Sequence, residues 1–315
     1  MQSFQKVSVI MPMRNAQAYV AKAIASILEQ SHRALELIVI DDQSTDQSRA
    51  IVEKMQTQDS RLQLVNGDGV GIAAAKNMGL NHVTGEVVMF CDADDYYPRT
   101  RLQTQMAWLQ LNPDAGAVCG SFAMTDHRGE NSIELASGSQ SCEITGELLS
   151  GVTRTHLCTF AIRRWAMNVM NTAGGFRGFF VSAEDIDFQL RLAEVCPVYF
   201  ETPVTYFSRQ HDTSIVHTQA SARRVFYEET ARAFRRQRAA AVQDDLQSGN
   251  PPAIPAEIGQ RLCARDQIQG ALLSAAWDLR RHGEKRAAIT KAFQAFRVNP
   301  GNLRVGKSLI MLMIK

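Results

Sequence analysis

The chain has 315 residues, 45% of them hydrophobic, which is enough for a sizeable core and, at roughly 100–200 residues per domain, for two domains or one with an appendage. Charged residues make up only 21%, which excludes a disordered chain. The net charge of +2 hides an asymmetry: residues 1–217 hold 17 Lys and Arg against 24 Asp and Glu, and residues 218–315 hold 17 against 8.

Six cysteines (Cys91, Cys119, Cys142, Cys158, Cys196, Cys263) are scattered with no C-x-x-C pair, which argues against a zinc site or a disulfide framework. Several lie in apolar runs, as buried thiols do in a reducing compartment. The first six residues lead straight into a strand-like run, so no signal peptide is expected. No apolar stretch approaches the ~20 residues of a membrane span. The expectation is a soluble protein of the cytoplasm, or one attached to the inner face of the cell membrane.

Val7-Ser8-Val9-Ile10-Met11 reads as a strand ending at Pro12. Val20, Ile24, Ile27 and Leu28 then fall on one helical face. Leu35 to Ile40 is a second strand, 46–57 a helix, Arg61 to Val65 a strand, 71–81 a helix and Glu86 to Cys91 a fourth strand. Strands that are apolar throughout and alternate with helices predict an α/β fold, its mostly parallel sheet covered by helices on both faces. In such sheets ligands bind beyond the carboxyl ends of the strands. Asn15, Asp41, Asp42, Asp92, Asp94 and Asp95 all fall there. Gly116 to Gly120 resembles a strand, 125–150 reads as loop, 182–195 as helix and Val198 to Phe200 as strand. After His217 an Ala-, Arg- and Gln-rich helical pattern is broken at Asn250-Pro251-Pro252 and at Asn299-Pro300-Gly301, with Trp277, Phe293 and Phe296 as core candidates.

Asp92-Ala93-Asp94-Asp95 puts three carboxylates into four residues. Their repulsion is relieved either by solvent at an acidic turn or by a hard cation such as Mg²⁺ or Mn²⁺. In Asp41-Asp42-Gln43-Ser44-Thr45-Asp46, one residue can cap the next helix. That leaves Asp41 and Asp42 free for a base edge or a ribose hydroxyl. Gly69-Val70-Gly71, ahead of a helix carrying Lys76 and Asn77, offers backbone amides suited to phosphate. Glu184 and Asp185 open a helix whose dipole favours them, and a carboxylate held there can serve as a general base. Arg209-Gln210-His211 supplies an imidazole able to bind a transition metal.

Together these pieces resemble a family 2 glycosyltransferase of the GT-A (Rossmann-like) fold, over about residues 5–217. The match runs from Val7–Pro12 with Asn15 through Asp41–Asp46, Lys76-Asn77, Asp92–Asp95, Gly174-Gly175-Phe176 and Glu184-Asp185 to Arg209, His211 and Ser214. The resemblance implies a catalytic domain over 1–217 and a basic helical extension over 218–315. It implies that Pro12, Arg14, Asn15, Asp42, Lys76, Asn77, Asp92 and Ala93 bind the donor. Asp94 and His211 would hold a divalent metal, Mn²⁺ or Mg²⁺, and Asp185, supported by Glu184, would be the catalytic base. Arg177 stands where acidic residues are frequent in the family.

The implied activity is an inverting, metal-dependent, hexosyltransferase-like transfer from a nucleotide-sugar, UDP-linked by expectation, to a glycan or lipid-linked acceptor in surface polysaccharide synthesis. A sugar nucleotidyltransferase is the alternative from the same sheet class. It calls for a Gly-rich loop after the first strand, and Met13–Ala16 has no glycine. A non-catalytic scaffold relative is the other alternative. Arg223, Arg224, Arg232, Arg235, Arg236 and Arg238 of the basic tail are read either as a solvated helical face or as a means of peripheral membrane association, and nothing in the tail suggests nucleic-acid binding.

Overall fold

The computed structural model describes residues 6–126, 128–129, 133–135, 140–211, 221–255, 264–281 and 285–314. Strands β1 (Val7–Met13), β2 (Leu35–Asp41), β3 (Leu62–Asn66) and β4 (Val87–Phe90) alternate with helices α1 (Val20–Leu28), α2 (Ser48–Gln56) and α3 (Ile72–Leu80). These four strands are parallel, with β1 between β2 and β4. Every residue of β1 and β4 is buried, as expected for strands covered on both faces. Each large aliphatic side chain withdrawn from water there contributes about 1.5–3 kcal/mol. The inward stripe of α1, Val20, Ala23, Ile24, Ile27 and Leu28, is the one its spacing predicts.

Beyond β4 the sheet becomes mixed. Helix α4 (Arg101–Leu111) leads to β5 (Ala117–Thr125), followed by β6 (Ile133–Leu135), β7 (Cys142–Glu143), α5 (Thr145–Leu149), a 3-10 turn (Leu157–Thr159), β8 (Ala161–Arg163), α6 (Arg164–Thr172), α7 (Glu184–Val195) and β9 (Val198–Arg209). Among the described residues the strand order is β3-β2-β1-β4-β8-β5-β9-β7, with β6 paired to β5. The span 125–150, read from sequence as loop, therefore holds two short strands and a helix. Strand β8 is antiparallel to β4, with Met89 opposite Ala161. The turn before β8 consequently lies beside the carboxyl end of β4, and that places a cysteine at the site described below.

Two compact units are present. The first comprises Met1–Phe122, Ser137–Ser208 and Arg224–Ile254; the second comprises Ala123–Ala136, Arg209–Arg223 and Pro255–Lys315. Helix α8 (Ser221–Ala241) has the basic composition of the tail. Its Tyr227, Ala231 and Phe234 pack with Phe180 and Ala183 in one buried cluster. In the second unit, α9 (Ala264–Arg281), α10 (Lys285–Val298) and α11 (Leu303–Ile314) share two small cores. Ala276, Ala288, Ala292 and Leu312 form one; Leu272, Ala295 and Val305 form the other. Trp277 and Phe296 pack against these clusters. Phe293 does not: it is 52% exposed, because the alanines of α10 occupy the inward face.

Candidate active site

The first two βα loops are tied together by the side chains of the Asp41–Asp46 segment. The Asn15 amide donates to Ser44 Oγ (3.0 Å), and Asn15 Oδ1 accepts from the Thr45 amide (2.8 Å). Ser48 Oγ accepts from the Ala16 amide (2.7 Å), and Asp46 Oδ2 from the Gln17 amide (3.1 Å). Asn15 adopts φ 52, a left-handed conformation that asparagine tolerates better than most residues. Asp41 is structural as well: its Oδ1 accepts the Ser44 amide and its Oδ2 pairs with Arg49 at 3.3 Å.

Asp42 is buried, and its two oxygens accept the Gly69 amide (2.8 Å) and the Gly71 amide (3.0 Å). The anion held by this glycine loop is thus the chain's own carboxylate, in place of the phosphate the loop composition suggested. Exposed Arg14 reaches Asp42 Oδ2 at 4.0 Å. Pro12, buried in β1, lies opposite Ile40. Strands β2 and β4 flank β1 in parallel, so Asp42 and Asp92 both follow carboxyl ends of strands, roughly 10 Å or two strand spacings apart.

At the end of β4 the charges are concentrated. Asp92 is half-buried, and its Oδ1 is sealed from solvent without a hydrogen-bond partner among the described residues. Its Oδ2 accepts from the Cys158 thiol at 3.6 Å. Burial pushes the Asp92 carboxyl up, Lys76 opposes this, and Asp94 and Glu184 add to it, leaving it at about 6. Ala93 is buried and Asp94 half-buried. Asp95 accepts from Tyr206 Oη (2.7 Å), and Tyr206 Oη also accepts the Asp92 amide (3.2 Å).

Lys76 Nζ donates to Glu184 Oε1 at 2.8 Å, and both side chains are buried. Burial alone would lower the lysine, but Glu184, Asp92 and Asp185 outweigh it and hold the ammonium well above its ordinary value. Asp185, half-buried next to Glu184, is pushed up to about 7. Burial and the Glu184 charge raise it, while Lys76 and the Ile186 amide restrain it. Ala183, the N-cap of α7, takes φ 61 and ψ 18, a left-handed backbone that costs of order 1–3 kcal/mol outside glycine. That strain sits directly before the two carboxylates.

Asn77 fixes the Gly174-Gly175-Phe176 loop to this centre. Its Nδ2 donates to the Phe176 carbonyl and its Oδ1 accepts the Phe176 amide, both at 2.8 Å. The Phe176 ring stacks on Phe188 of α7 with centroids 4.3 Å apart. Gly175, at φ +56, has no room for a Cβ, which would collide with Asn77 Oδ1. Gly175→Ala is therefore expected to destabilise the fold by about 2–4 kcal/mol, combining backbone strain with loss of the two-bond clasp. Urea denaturation checks this, and a loss below about 1 kcal/mol would show that the loop yields freely.

The structure thus gathers Lys76, Asp92, Glu184 and Asp185 into one group of interacting charges, and Asn77 beside it through Phe176. His211 is buried and belongs to the second compact unit. Ser214 and Cys263 lie outside the described residues. Among the described residues no three His, Cys, Asp or Glu side chains gather so as to hold a metal. Sequence reasoning overlooked Cys158 and Tyr206, and also exposed His156, whose ring lies 4.4 Å from that of Phe122. None of these three carries a motif or a periodic signal.

The sequence pattern of "Glycosyl transferase family 2" matches residues 8–185, more than half of the chain. The chain belongs to this family. The glycosyltransferase is 36% identical over 135 residues to an uncharacterized glycosyltransferase of Haemophilus influenzae, covering 42% of this chain and 53% of that one. It is 36% identical over 119 residues to the putative teichuronic acid biosynthesis glycosyltransferase TuaG of Bacillus subtilis, covering 38% and 47%. The glycosyltransferase thus spans about half the length of these curated relatives. Its fold is the GT-A fold of S. aureus TarS 1–349, solved in complex with UDP-GlcNAc (TM-score 0.62, 18% identity, 93% of this chain and 81% of that one). The mannosyltransferase PcManGT of Pyrobaculum calidifontis, solved with GDP-Man and Mn²⁺, has a TM-score of 0.51 at 21% identity, covering 97% of this chain and 78% of that one.

Proposed function

We propose that this glycosyltransferase moves a sugar, with inversion, from a UDP-sugar to a hydroxyl of a glycan or lipid-linked saccharide during surface polysaccharide synthesis at the cytoplasmic side of the membrane. The observation that carries the reading is Asp185: a half-buried carboxyl pushed up to about 7 beside a buried Lys76–Glu184 pair. A general base works best with a pKa near the operating pH. In this reading Asp185 accepts the acceptor hydroxyl proton as that oxygen attacks the anomeric carbon from the face opposite the diphosphate. Lys76 stays charged throughout and restrains the carboxylates around it. UDP-GlcNAc in TarS supports the choice of donor, and the name of TuaG supports the choice of pathway class.

The residues at the end of β4 fit a divalent cation. Asp92 Oδ1 is a buried oxygen without a hydrogen-bond partner among the described residues, and Asp94 stands two residues on. Two carboxylates suffice for Mn²⁺ or Mg²⁺ when phosphate oxygens and water complete the shell. The ion, when bound, supplies charge neutralisation at the departing diphosphate. The nucleotidyltransferase alternative has less support because Met13–Ala16, at the end of β1 and the start of the loop that follows, has no glycine.

A thermal-shift series with UDP, GDP, CDP and dTDP sugars tests the reading. At a hundredfold excess over Kd the correct donor stabilises the protein by about 2.7 kcal/mol. We expect that gain with a UDP-sugar and Mn²⁺, a smaller gain after EDTA, and no metal response in Asp94→Asn. No shift with any of the four nucleotides would remove the donor assignment.

A further inference from the structure

Helix α11 has two apolar faces, and among the described residues only one of them is covered. Val305, Leu309 and Leu312, spaced i, i+4 and i+7, point into the cores shared with α9 and α10. Leu303, Lys307, Ile310 and Ile314 recur at the same helical spacing on the opposite side, flanked by Met311 and Met313. That stripe faces solvent: Leu303 is 79%, Ile310 56% and Ile314 77% exposed, and Met311 and Met313 are exposed too. A helix needs only its inward stripe to fold against its neighbours. Five large apolar side chains on the outward side cost solubility unless something covers them.

Charge indicates what does so. Residues 285–315 contain seven Lys and Arg and no Asp or Glu, and exposed Lys307 sits within the apolar stripe itself. A second copy meeting this face symmetrically would bring like charge against like charge. An anionic bilayer surface complements it. The helix has only 12 residues, and among the described residues no helix is long and apolar enough to cross a membrane. Helices of this kind lie in the interface, with the apolar side chains among the acyl chains and lysines reaching up to the headgroups.

We infer that α11 is an interfacial membrane-docking helix, inserting Leu303, Ile310, Met311, Met313 and Ile314 into an anionic lipid surface. The docking surface thereby differs from the arginine-rich helix α8 suggested by composition. Arg224, Arg232, Arg235 and Arg238 of α8 are already paired with Glu228, Glu229, Glu194 and Asp244. The inference does not depend on the catalytic reading, because it concerns lipid binding in the absence of any donor.

The test is co-sedimentation of the full chain with vesicles of phosphatidylcholine, with and without about a quarter phosphatidylglycerol, at about 0.05 M and about 0.5 M salt. We expect binding to the anionic vesicles that weakens at high salt but persists, because the apolar contribution is not screened. Ile310→Glu combined with Ile314→Glu should lower the partition coefficient about tenfold or more at an unchanged melting temperature. Ile314→Ser alone, a milder change at an exposed position, should lower it measurably and covers the case in which the double variant misfolds. Wild-type protein left in the supernatant with both vesicle types would overturn the inference, as would variants that bind like wild type. A wild-type dimer that Ile310→Glu dissociates, with no lipid binding, would overturn it in favour of a second copy.

Discussion

Asp185→Asn is expected to reduce turnover by about 10²–10⁴-fold and, at pH 8, to raise the stability of the protein. Both effects arise from the same property. The Asp185 carboxyl is pushed up to about 7, with burial first and the neighbouring Glu184 charge second among the causes. Only the ionised form can take a proton, so wild-type kcat/KM should rise with pH through about 7 and then level off. For stability the sign is opposite. The folded value lies above the ordinary aspartate value of about 3.9, so the penalty is absent below about pH 4 and grows as pH rises through about 7. Asparagine has no charge to bury. Because the carboxyl is half-buried, solvent screens part of the shift, and a gain of about 1–3 kcal/mol is expected above pH 7. At about 2–4 °C per kcal/mol, that gain is readable by calorimetry and should shrink toward pH 4. A variant that loses activity but gains no stability at pH 8 would show that Asp185 titrates normally. A variant that remains active would remove it from the mechanism.

The first hundred residues were legible because each element carries its own signal. Strands β1, β2 and β4 are apolar apart from Ser8, Glu36 and Asp41, and α1 repeats its apolar residues at the helical period. The acidic residues that end the strands could be placed by the same logic. Strand β9 is clearest in the sequence at Val198–Phe200 and continues to Arg209. Its later residues include Pro203 and several half-buried polar side chains, so no alternation marks them. Tyr206, which joins Asp92 to Asp95, was lost with that stretch. Cys158 was hidden for a different reason: it reaches Asp92 only because β8 runs antiparallel to β4, a pairing that no local pattern encodes. Asp42 shows the reverse limit, since its sequence position was clear but its two loop amides were not.

Arg177, the residue that departs from the family's acidic preference, anchors a buried ion network. Its guanidinium forks onto both oxygens of Asp187 and reaches Asp244 Oδ2 at 2.6 Å. Asp187 is fully buried and Asp244 is 1% exposed. Arg191 also donates to Asp187 (3.0 Å), and Arg238 to Asp244 (2.5 Å) while engaging Glu194. The Asp244 carboxyl lies below its ordinary value: burial would raise it, but the Gln247 amide, Arg177 and Arg238 outweigh that. Asp187 is two residues from Asp185 on the first turn of α7, so the network fixes that turn to α8 and the 242–254 segment. Arg177→Met leaves two buried carboxylates with one cation each in place of two, and removing one partner of a buried ionic group costs about 3–5 kcal/mol. Arg177→Lys keeps the charge but cannot fork, and its ammonium is harder to desolvate, so about 1–3 kcal/mol should be lost. Urea denaturation of the three proteins should rank wild type above lysine and lysine above methionine. Below pH 4 the gap between wild type and Arg177→Met should narrow, because the contribution from the depressed Asp244 carboxyl is lost as pH falls through its folded value. Equal stability of Arg177→Met and wild type at pH 7 would mean that the remaining arginines satisfy both carboxylates unaided. The departure at 177 would then be neutral for the fold.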